Sequence, residues 1–482
     1  MLLAIRRSGS PLHREIYEAL KAGIREGRFR PGSRLPSTRA LCADLGVSRN
    51  TVLAAYEQLL AEGYALARER ATTVVADIVT PPRARDAAPL PPPRLSTYAE
   101  RLTREAWMPP SGSYAPRPGV RYDFRYGKPA VNDFPVDAWR RLLGEHARHA
   151  LRDSFGYAAP AGHLPLREAL AQYLQRARGL HCDAERIVIV NGSQQAIDLA
   201  ARLLLDAGDA AVIEEPHYPG ATVAFEAVGA RLIRITTDAQ GLDPARLPPS
   251  SSRARLAYVT PCHQFPSGVI MPLERRLALL DWARRNDAWI VEDDYVSEFR
   301  YEGRPLEALQ ALDQHGRVIY IGTFSKTLFP ALRLAYLVLP RALVRPFAAA
   351  KWVADRFSPS LPQAALAEFI ASGQFERHLR RASLRNAARR RALIESLRQH
   401  LGERVTIAGE NTGVHLVVWF ERLRWPQLDA LIARAEHNGV GLYSVAPYYA
   451  SPPARPGLLF GYASLAEAEI RAGVRKLAAL LD

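Results

Sequence analysis

One lysine is a candidate for chemistry in a chain whose cationic side chains are nearly all arginine. Of the 64 lysines and arginines only five are lysines, and Lys326 is one of them. It lies in the run Gly-Thr-Phe-Ser-Lys-Thr (322–327), directly after an apolar segment. A lysine amine can form a Schiff base with an aldehyde, whereas a guanidinium cannot. Lys326 is therefore a candidate attachment point, and the alternative is a surface lysine that begins a helix.

Other polar residues would complete a site for pyridoxal phosphate around this lysine. That cofactor needs an amine for its aldehyde, an anion opposite its ring nitrogen, an aromatic ring over its face and donors for its phosphate. A helix N-terminus can bind the phosphate. The candidates are Gly192, Ser193 and Gln194 for the phosphate, Tyr218 for stacking, Asp293 for the ring nitrogen, Tyr295 for the ring oxygen, and Thr323, Ser325 and Arg333 beside Lys326. Each motif alone is ordinary, and their compatible order along the chain favours the cofactor.

The elements that must position these residues follow an α/β pattern. Short apolar runs at 187–190, 211–214, 256–259, 289–292, 318–321 and 334–339 alternate with amphipathic segments. Such runs with helical crossovers predict a mostly parallel sheet covered on both faces, with ligands at the carboxyl ends of its strands. We therefore expect a large α/β domain over 121–374. From 375 a long arginine-rich helix and short strands predict a smaller C-terminal α+β subdomain over 375–482.

Residues 1–76 predict a different kind of unit, with three helices and a β-ribbon, which is a winged helix-turn-helix. Ser37 and Ser48 are good N-caps for its second and third helices. The third helix would enter the major groove, where Arg49 can pair with guanine and Asn50 with adenine. The predicted DNA contacts are Ser37, Arg39, Ser48, Arg49, Asn50 and Thr51, with Arg68 and Arg70 on the wing. The alternative is a helical domain with a capped, solvated face.

Between these units, residues 77–120 contain ten prolines and predict an extended linker. The net charge of +15 and a pI near 9.9 indicate a polyanionic partner, which is double-stranded DNA on this interpretation. Three scattered cysteines without metal-ligand spacing predict no metal site and a reducing, cytoplasmic setting. No signal peptide or membrane span is expected.

The N-terminal stretch closely resembles the GntR family of bacterial winged-helix regulators. The matching runs are Pro-Gly-Ser-Arg-Leu-Pro-Ser-Thr-Arg (31–39) and Leu-Gly-Val-Ser-Arg-Asn-Thr-Val (45–52), followed by Ala55-Tyr56 and Glu-Gly-Tyr (62–64). This resemblance implies DNA contacts by the residues named above. The wing departs from the family, since its tip reads Arg-Glu-Arg-Ala-Thr-Thr (68–73) where glycine is common.

Residues 121–482 resemble fold type I aminotransferases, on the motifs around Ser193, Tyr218, Asp293 and Lys326. One departure is Phe265, which precedes Pro-Ser-Gly where the enzymes usually have Asn. The order of modules is similar to that of the MocR/GabR subfamily of GntR regulators. That resemblance implies an internal aldimine at Lys326, sensing of a small amino compound or of the cofactor itself, and a head-to-tail homodimer.

Three functions remain open on the sequence. The first is a pyridoxal phosphate-dependent transcriptional regulator whose amine effector displaces Lys326. The second is a working aminotransferase with an accessory DNA-binding domain, since the retained residues leave weak transamination open. The third is a constitutive DNA-binding protein that uses the cofactor for stability. For an effector with a carboxylate, Arg455 is the predicted anchor, and a solvated loop arginine is the alternative.

Overall fold

The computed structural model describes residues 3, 10–68, 72–77, 94–103, 117–149, 156–301, 303 and 306–481. The chain divides into two compact units, one ending at Arg94 and the other beginning at Leu95. Within the described ranges, no helix is long and apolar enough to cross a membrane.

The first unit consists of three helices and a hairpin, as the sequence predicted. Its elements are α1 (Leu12–Arg25), α2 (Thr38–Leu45), α3 (Arg49–Ala61), β1 (Ala65–Arg68) and β2 (Thr72–Val75). The hairpin is antiparallel. Ile16, Leu20, Val52, Tyr56 and Leu59 are buried in one core, since their helical spacing places them on the inner faces of α1 and α3. A winged helix-turn-helix is the result.

The second unit contains the other helices and strands of the described residues. Its helices are α4 (Thr97–Leu102), α5 (Val136–His149), α6 (Leu164–Arg178), α7 (Ser193–Leu204), α8 (Pro219–Val228), α9 (Leu273–Arg285), α10 (Leu309–Leu312), α11 (Arg341–Asp355), α12 (Ser360–Ala371), α13 (Gln374–Leu401), α14 (Trp425–His437) and α15 (Glu467–Leu481). Its strands are β3 (Tyr122–Asp123), β4 (Ile187–Val190), β5 (Ala210–Glu215), β6 (Arg231–Thr236), β7 (Ala254–Val259), β8 (Trp289–Asp294), β9 (Val318–Thr323), β10 (Ala335–Val338), β11 (Val405–Ala408), β12 (His415–Phe420), β13 (Val440–Gly441) and β14 (Gly457–Gly461).

A seven-stranded sheet with the order β4-β10-β9-β8-β7-β5-β6 forms the centre of this unit. Only β10 runs antiparallel to its neighbours, so the mostly parallel sheet predicted from the sequence is confirmed. The carboxyl ends of β4, β5, β8 and β9 meet at one edge, which is where the predicted site residues lie. The sequence missed β6 because this edge strand has mostly exposed or half-buried side chains.

The small subdomain has a three-stranded antiparallel sheet, β11-β12-β14, packed under α13, α14 and α15. The predicted division into a large domain (121–374) and a small subdomain (375–482) needs one refinement, at the start of the large domain. Strand β3 pairs with β13, and Tyr122 and Phe124 pack in the small-subdomain core. The first residues assigned to the large domain therefore belong physically to the small one.

The described part of the predicted linker includes helix α4. Its Arg101 donates to the Ala227 carbonyl at 3.4 Å, and Arg202 donates to the Tyr98 hydroxyl at 2.9 Å. These contacts fix residues 97–102 against α7 and α8 of the second unit. The part of the predicted linker that forms α4 therefore belongs to the second unit.

Candidate functional site

Lys326 follows β9 at the carboxyl edge of the large sheet and is only partly exposed. Burial lowers the pKa of its amine to about 8, and the nearby charge of Asp293 opposes part of that shift. The amine lies 4.7 Å from the centroid of the Tyr126 ring. A lysine in this setting is nearer its neutral, nucleophilic form than a surface lysine is.

Asp293 is the second-last residue of strand β8, and its side chain is buried near this lysine. One carboxylate oxygen, Oδ2, accepts a 2.5 Å hydrogen bond from the Tyr258 hydroxyl. The other, Oδ1, is buried and has no hydrogen-bond partner among the described residues. Burial raises the pKa of Asp293 to about 6, and the Tyr258 hydrogen bond opposes that shift. An unsatisfied buried carboxylate oxygen needs a positively charged or hydrogen-bearing partner.

The predicted phosphate-binding residues meet at the N-terminus of α7. Gly192 is the N-cap, with φ of 99°, and Ser193 begins the helix. A Cβ added to Gly192 would come within 2.6 Å of the Arg333 guanidinium, so glycine allows this arginine to lie against the helix end. Arg333 also donates to the Asn191 carbonyl at 2.7 Å. The helix N–H groups and an adjacent guanidinium form a cradle for an anion.

Thr323 and Ser325 lie between this cradle and Lys326. The Thr323 hydroxyl is 3.1 Å from the Ser325 hydroxyl and also accepts from the Ser325 backbone N–H at 3.2 Å. These contacts fix the short turn from β9 to Lys326. Their role in binding the phosphate stays a prediction.

The side chains of Tyr218 and Gln194 both lie against Gly220. Gln194 donates its amide to the Gly220 carbonyl at 2.7 Å, and a Cβ on Gly220 would clash with both side chains. Tyr218 contacts the Phe265 ring edge to face at 5.8 Å. The structure therefore fixes the predicted stacking tyrosine, but the Gln194 amide is used to bind helix α8.

Tyr295 has a backbone partner. Its hydroxyl donates to the His263 carbonyl at 3.1 Å. Phe265 is buried against Tyr126, Tyr218 and Tyr448, so an apolar ring occupies the position where the resembling enzymes have Asn. The part of the site that was predicted to bind the ring oxygen is thus more apolar than the sequence analysis predicted.

These residues fit pyridoxal phosphate. Asp293 Oδ1 is a buried oxygen without a described partner, and a protonated ring nitrogen would satisfy it. The Gly192 cradle suits the phosphate, and Lys326 can hold the aldehyde carbon. No group of His, Cys, Asp or Glu suited to a metal ion occurs within the ranges that the structure describes.

The predicted DNA contacts that the structure describes belong to α2, α3 and β1 of the first unit or directly precede these helices. The hydroxyls of Ser37 and Ser48 cap α2 and α3, accepting from the backbone N–H groups of Ala40 at 3.1 Å and Thr51 at 3.2 Å. Arg39, Arg49 and Asn50 are exposed, and neither helix has an acidic residue in its first turn. Arg68 is exposed at the end of β1, whereas Arg70 lies outside the described residues.

Two protein families match this chain, one for each unit. The family of bacterial regulatory proteins called gntR matches residues 12–75, and aminotransferase class I and II matches residues 126–448. A "probable rhizopine catabolism regulatory protein MocR" of Rhizobium meliloti is 39% identical, covering 99% of this chain and 95% of that protein. The chain belongs to the MocR/GabR subfamily of GntR-family transcriptional regulators. Its second unit is accordingly a fold type I, pyridoxal phosphate-dependent aminotransferase-like domain.

Other relatives agree with this membership. The pyridoxine biosynthesis regulator PdxR of Corynebacterium glutamicum is 31% identical over 95% of this chain and 93% of its own. Among solved structures, kynurenine aminotransferase of Pyrococcus horikoshii is 29% identical, with a TM-score of 0.69 over 75% of this chain and 91% of its own. LysN, an α-aminoadipate aminotransferase of Thermus thermophilus, is 27% identical, with a TM-score of 0.71 over 80% and 97%.

Arg455, the predicted effector anchor, has partners of its own in this MocR-type regulator. Its guanidinium forms an ion pair with Glu421 and lies 3.2 Å from the Thr406 hydroxyl, and its side chain is half exposed. Neither partner is among the residues around Lys326. A carboxylate effector would have to compete with Glu421 for this arginine.

Three residues of the site were missed by sequence reasoning. Tyr258 binds Asp293, Tyr126 covers Lys326, and His415 contacts Tyr126 from the small subdomain. Tyr258 gave a weak signal, as a hydroxyl in an otherwise apolar strand. Tyr126 and His415 gave none, because they reach the site from segments far away in the sequence.

Proposed function

We propose that this protein is a transcriptional regulator that senses an amino compound, or its cofactor, at Lys326. The observation that carries the proposal is a partly buried amine, Lys326, near a buried aspartate whose Oδ1 has no described partner. The other unit of the chain exposes polar residues at a helix N-terminus. When bound, pyridoxal phosphate supplies an aldehyde that reacts reversibly with amines.

Each residue of the site has a role in this proposal. Lys326 anchors the cofactor and is the amine that an effector displaces. Asp293 holds the proton of the ring nitrogen, and Ser193 and Arg333 bind the phosphate. Tyr218 and Phe265 exclude water from the face of the ring. The effector changes DNA binding only to the extent that its affinity differs between two arrangements of the protein.

The DNA side of the proposal concerns an operator with two half-sites. Head-to-tail homodimers would carry two winged helices and bind paired sequences on chromosomal DNA in the cytoplasm. Arg39, Arg49 and Arg68 would neutralise phosphates or bind bases, so affinity should fall steeply with salt. Analytical ultracentrifugation together with salt-dependent DNA titration tests both parts, and a flat salt response would contradict the DNA assignment.

For the effector itself we propose a small amine. Arg455 serves as its anchor only if the carboxylate of the effector displaces Glu421 from the ion pair with this arginine. The variant Arg455→Ala tests that role. An unchanged affinity for a carboxylated effector would remove Arg455 from the site, whereas loss of affinity for carboxylated amines alone would support it.

The second candidate function is transamination. The amine of Lys326, with its pKa near 8, could also move a proton, which favours this candidate. Phe265 favours a sensor, because its apolar ring lies where the resembling enzymes have an asparagine.

A visible absorbance titration of the loaded protein with amino compounds, followed by product analysis, separates the two functions. A band that depends on Lys326 and shifts stably with one amine would support the sensor. Release of a keto acid over several turnovers would support the enzyme. Absence of any cofactor band would overturn both.

A further inference from the structure

His415 is a buried histidine that the proposed function has not yet used. It begins strand β12 in the small subdomain, and its side chain is fully buried. Ring nitrogen Nε2 lies 2.9 Å from the Pro266 carbonyl oxygen. A carbonyl oxygen can only accept, so Nε2 must carry the hydrogen of this bond.

The second ring nitrogen of His415 is therefore a bare acceptor. Burial lowers the pKa of His415 to about 4, so the imidazole is neutral at pH 7 and Nδ1 holds a lone pair. Nδ1 is buried and has no hydrogen-bond partner among the described residues. Burying an unsatisfied acceptor costs stability, which suggests that another state of the site supplies a donor.

His415 and Lys326 lie in the same neighbourhood, because both contact the ring of Tyr126. Its ring lies edge to face with the Tyr126 ring, 4.8 Å between centroids, and the Lys326 amine lies 4.7 Å from the same Tyr126 centroid. The charge of Lys326 also contributes to the low pKa of His415. His263 also contacts His415, with 4.8 Å between ring centroids, and burial lowers its pKa. Its Nδ1 contacts Thr412, whereas its buried Nε2 has no partner among the described residues. A donor from His263 would be present without an effector, so a response to added amine distinguishes it from Lys326.

We propose that His415 Nδ1 accepts a hydrogen bond from the Lys326 amine once an effector amine has displaced that lysine. The inference rests on the proposed function. In the exchange the effector nitrogen replaces the lysine nitrogen on the aldehyde carbon, and two protons pass from the effector nitrogen to the lysine nitrogen. The released lysine is thus a new donor, and Asp293 Oδ1 is already committed to the ring nitrogen.

This role makes His415 a positioning residue. It stabilises the released lysine whatever the rest of the effector contains, so it sets the sensitivity to amines in general. Selectivity among effectors would be set by other groups. A test with an amine that has no further functional group isolates this contribution.

Two substitutions of His415 distinguish the roles of its two ring nitrogens. His415→Gln places its amide nitrogen near the former Nε2, keeping the donor to Pro266 and removing Nδ1. His415→Asn places its amide near the former Nδ1, and so keeps an acceptor for Lys326. The probe is methylamine, titrated into the cofactor-loaded full-length protein while the absorbance band is followed.

We expect about 5-fold weaker methylamine capture in His415→Gln, the effect of losing one hydrogen bond from the released neutral amine, and near wild-type capture in His415→Asn. Equal capture by His415→Gln and wild type would overturn the inference, and so would equal weakening of both variants. If wild type shows no band, the proposed function itself fails, which is a separate outcome.

A second measurement does not depend on the folding of His415→Gln. With histidine labelled by nitrogen-15, methylamine should shift the Nδ1 resonance of His415 in the loaded wild-type protein, as expected for a lone pair that gains a donor. The resonance is assigned by its loss in His415→Asn. An unchanged Nδ1 resonance at saturating methylamine would overturn the inference.

Discussion

The two functional regions of this regulator handle their polar groups in opposite ways. At the start of α3, Arg49 and Asn50 are exposed and need no partner before DNA arrives. In the second unit, Asp293 and His415 are buried, and each keeps one polar atom without a described partner. Substitutions of such exposed side chains should therefore change binding alone. Substitutions of the two buried residues should change binding and stability in opposite directions.

The largest effect is expected from Lys326→Ala, which removes the amine proposed to hold the cofactor covalently. We expect complete loss of the amine-linked absorbance band, with affinity for the cofactor reduced by more than about 100-fold. Lys476→Ala is the matched control, because Lys476 is an exposed lysine of α15. A band that survives Lys326→Ala would contradict the assignment.

Asp293→Asn sharpens the comparison through its pH dependence. Burial raises the pKa of Asp293 to about 6 from its ordinary 3.8, so its neutral form favours the folded state. Without cofactor, wild type and Asp293→Asn should have the same free energy of unfolding near pH 4. As the pH rises to 6, wild type should become the less stable of the two. The difference should level off at up to roughly 3 kcal/mol above pH 6.

Denaturant unfolding of both proteins across this pH range measures the difference. With cofactor present the order should reverse, because the charged carboxylate then faces the ring nitrogen. A difference that is independent of pH would show that Asp293 ionises normally in the folded chain.

Arg49→Ala should weaken sequence-specific DNA binding by roughly 2 kcal/mol, about 30-fold, since one bidentate arginine–guanine contact is lost. Its thermal stability should remain unchanged because the side chain is exposed. Arg14→Ala, an exposed arginine on α1, is the control. The affinity is measured by fluorescence anisotropy with a duplex selected from a random pool. Equal losses of affinity in both variants would mean that Arg49 contributes only its positive charge and reads no base.

The smallest effect is expected at Ser48. Ser48→Ala removes the cap on α3 and should destabilise the first unit by about 1 kcal/mol. Ser48→Asp restores a cap and hence stability, but its negative charge should weaken DNA binding. A calorimetric scan and the anisotropy assay together distinguish these outcomes. Full DNA affinity in Ser48→Asp would place this helix end away from the phosphates.

Local patterns carried much of the prediction. Ser37 and Ser48 mark the beginnings of α2 and α3 by capping chemistry alone, and these helices form as expected. Apolar runs likewise predicted six of the seven strands of the large sheet. Both signals lie within a few residues of the element that they specify, so no tertiary information was needed.

The remaining parts of the site depend on contacts across the chain. Lys326 and Asp293 were found from strand-end motifs, but Tyr126 and His415 reach them from distant segments. Arg455 shows the converse, since its sequence neighbours gave no sign of its ion pair with Glu421. The packing of Tyr122 and Phe124 in the small subdomain was hidden for the same reason.

The unpartnered oxygen of Asp293 also has a consequence for the amount of this protein in a cell. A chain that has not acquired pyridoxal phosphate keeps that buried carboxylate unsatisfied, whereas a loaded chain gains the binding free energy as extra stability. Proteases remove the less stable chains faster. We therefore expect the abundance of the regulator to rise and fall with vitamin B6 supply, before any effector or operator takes part.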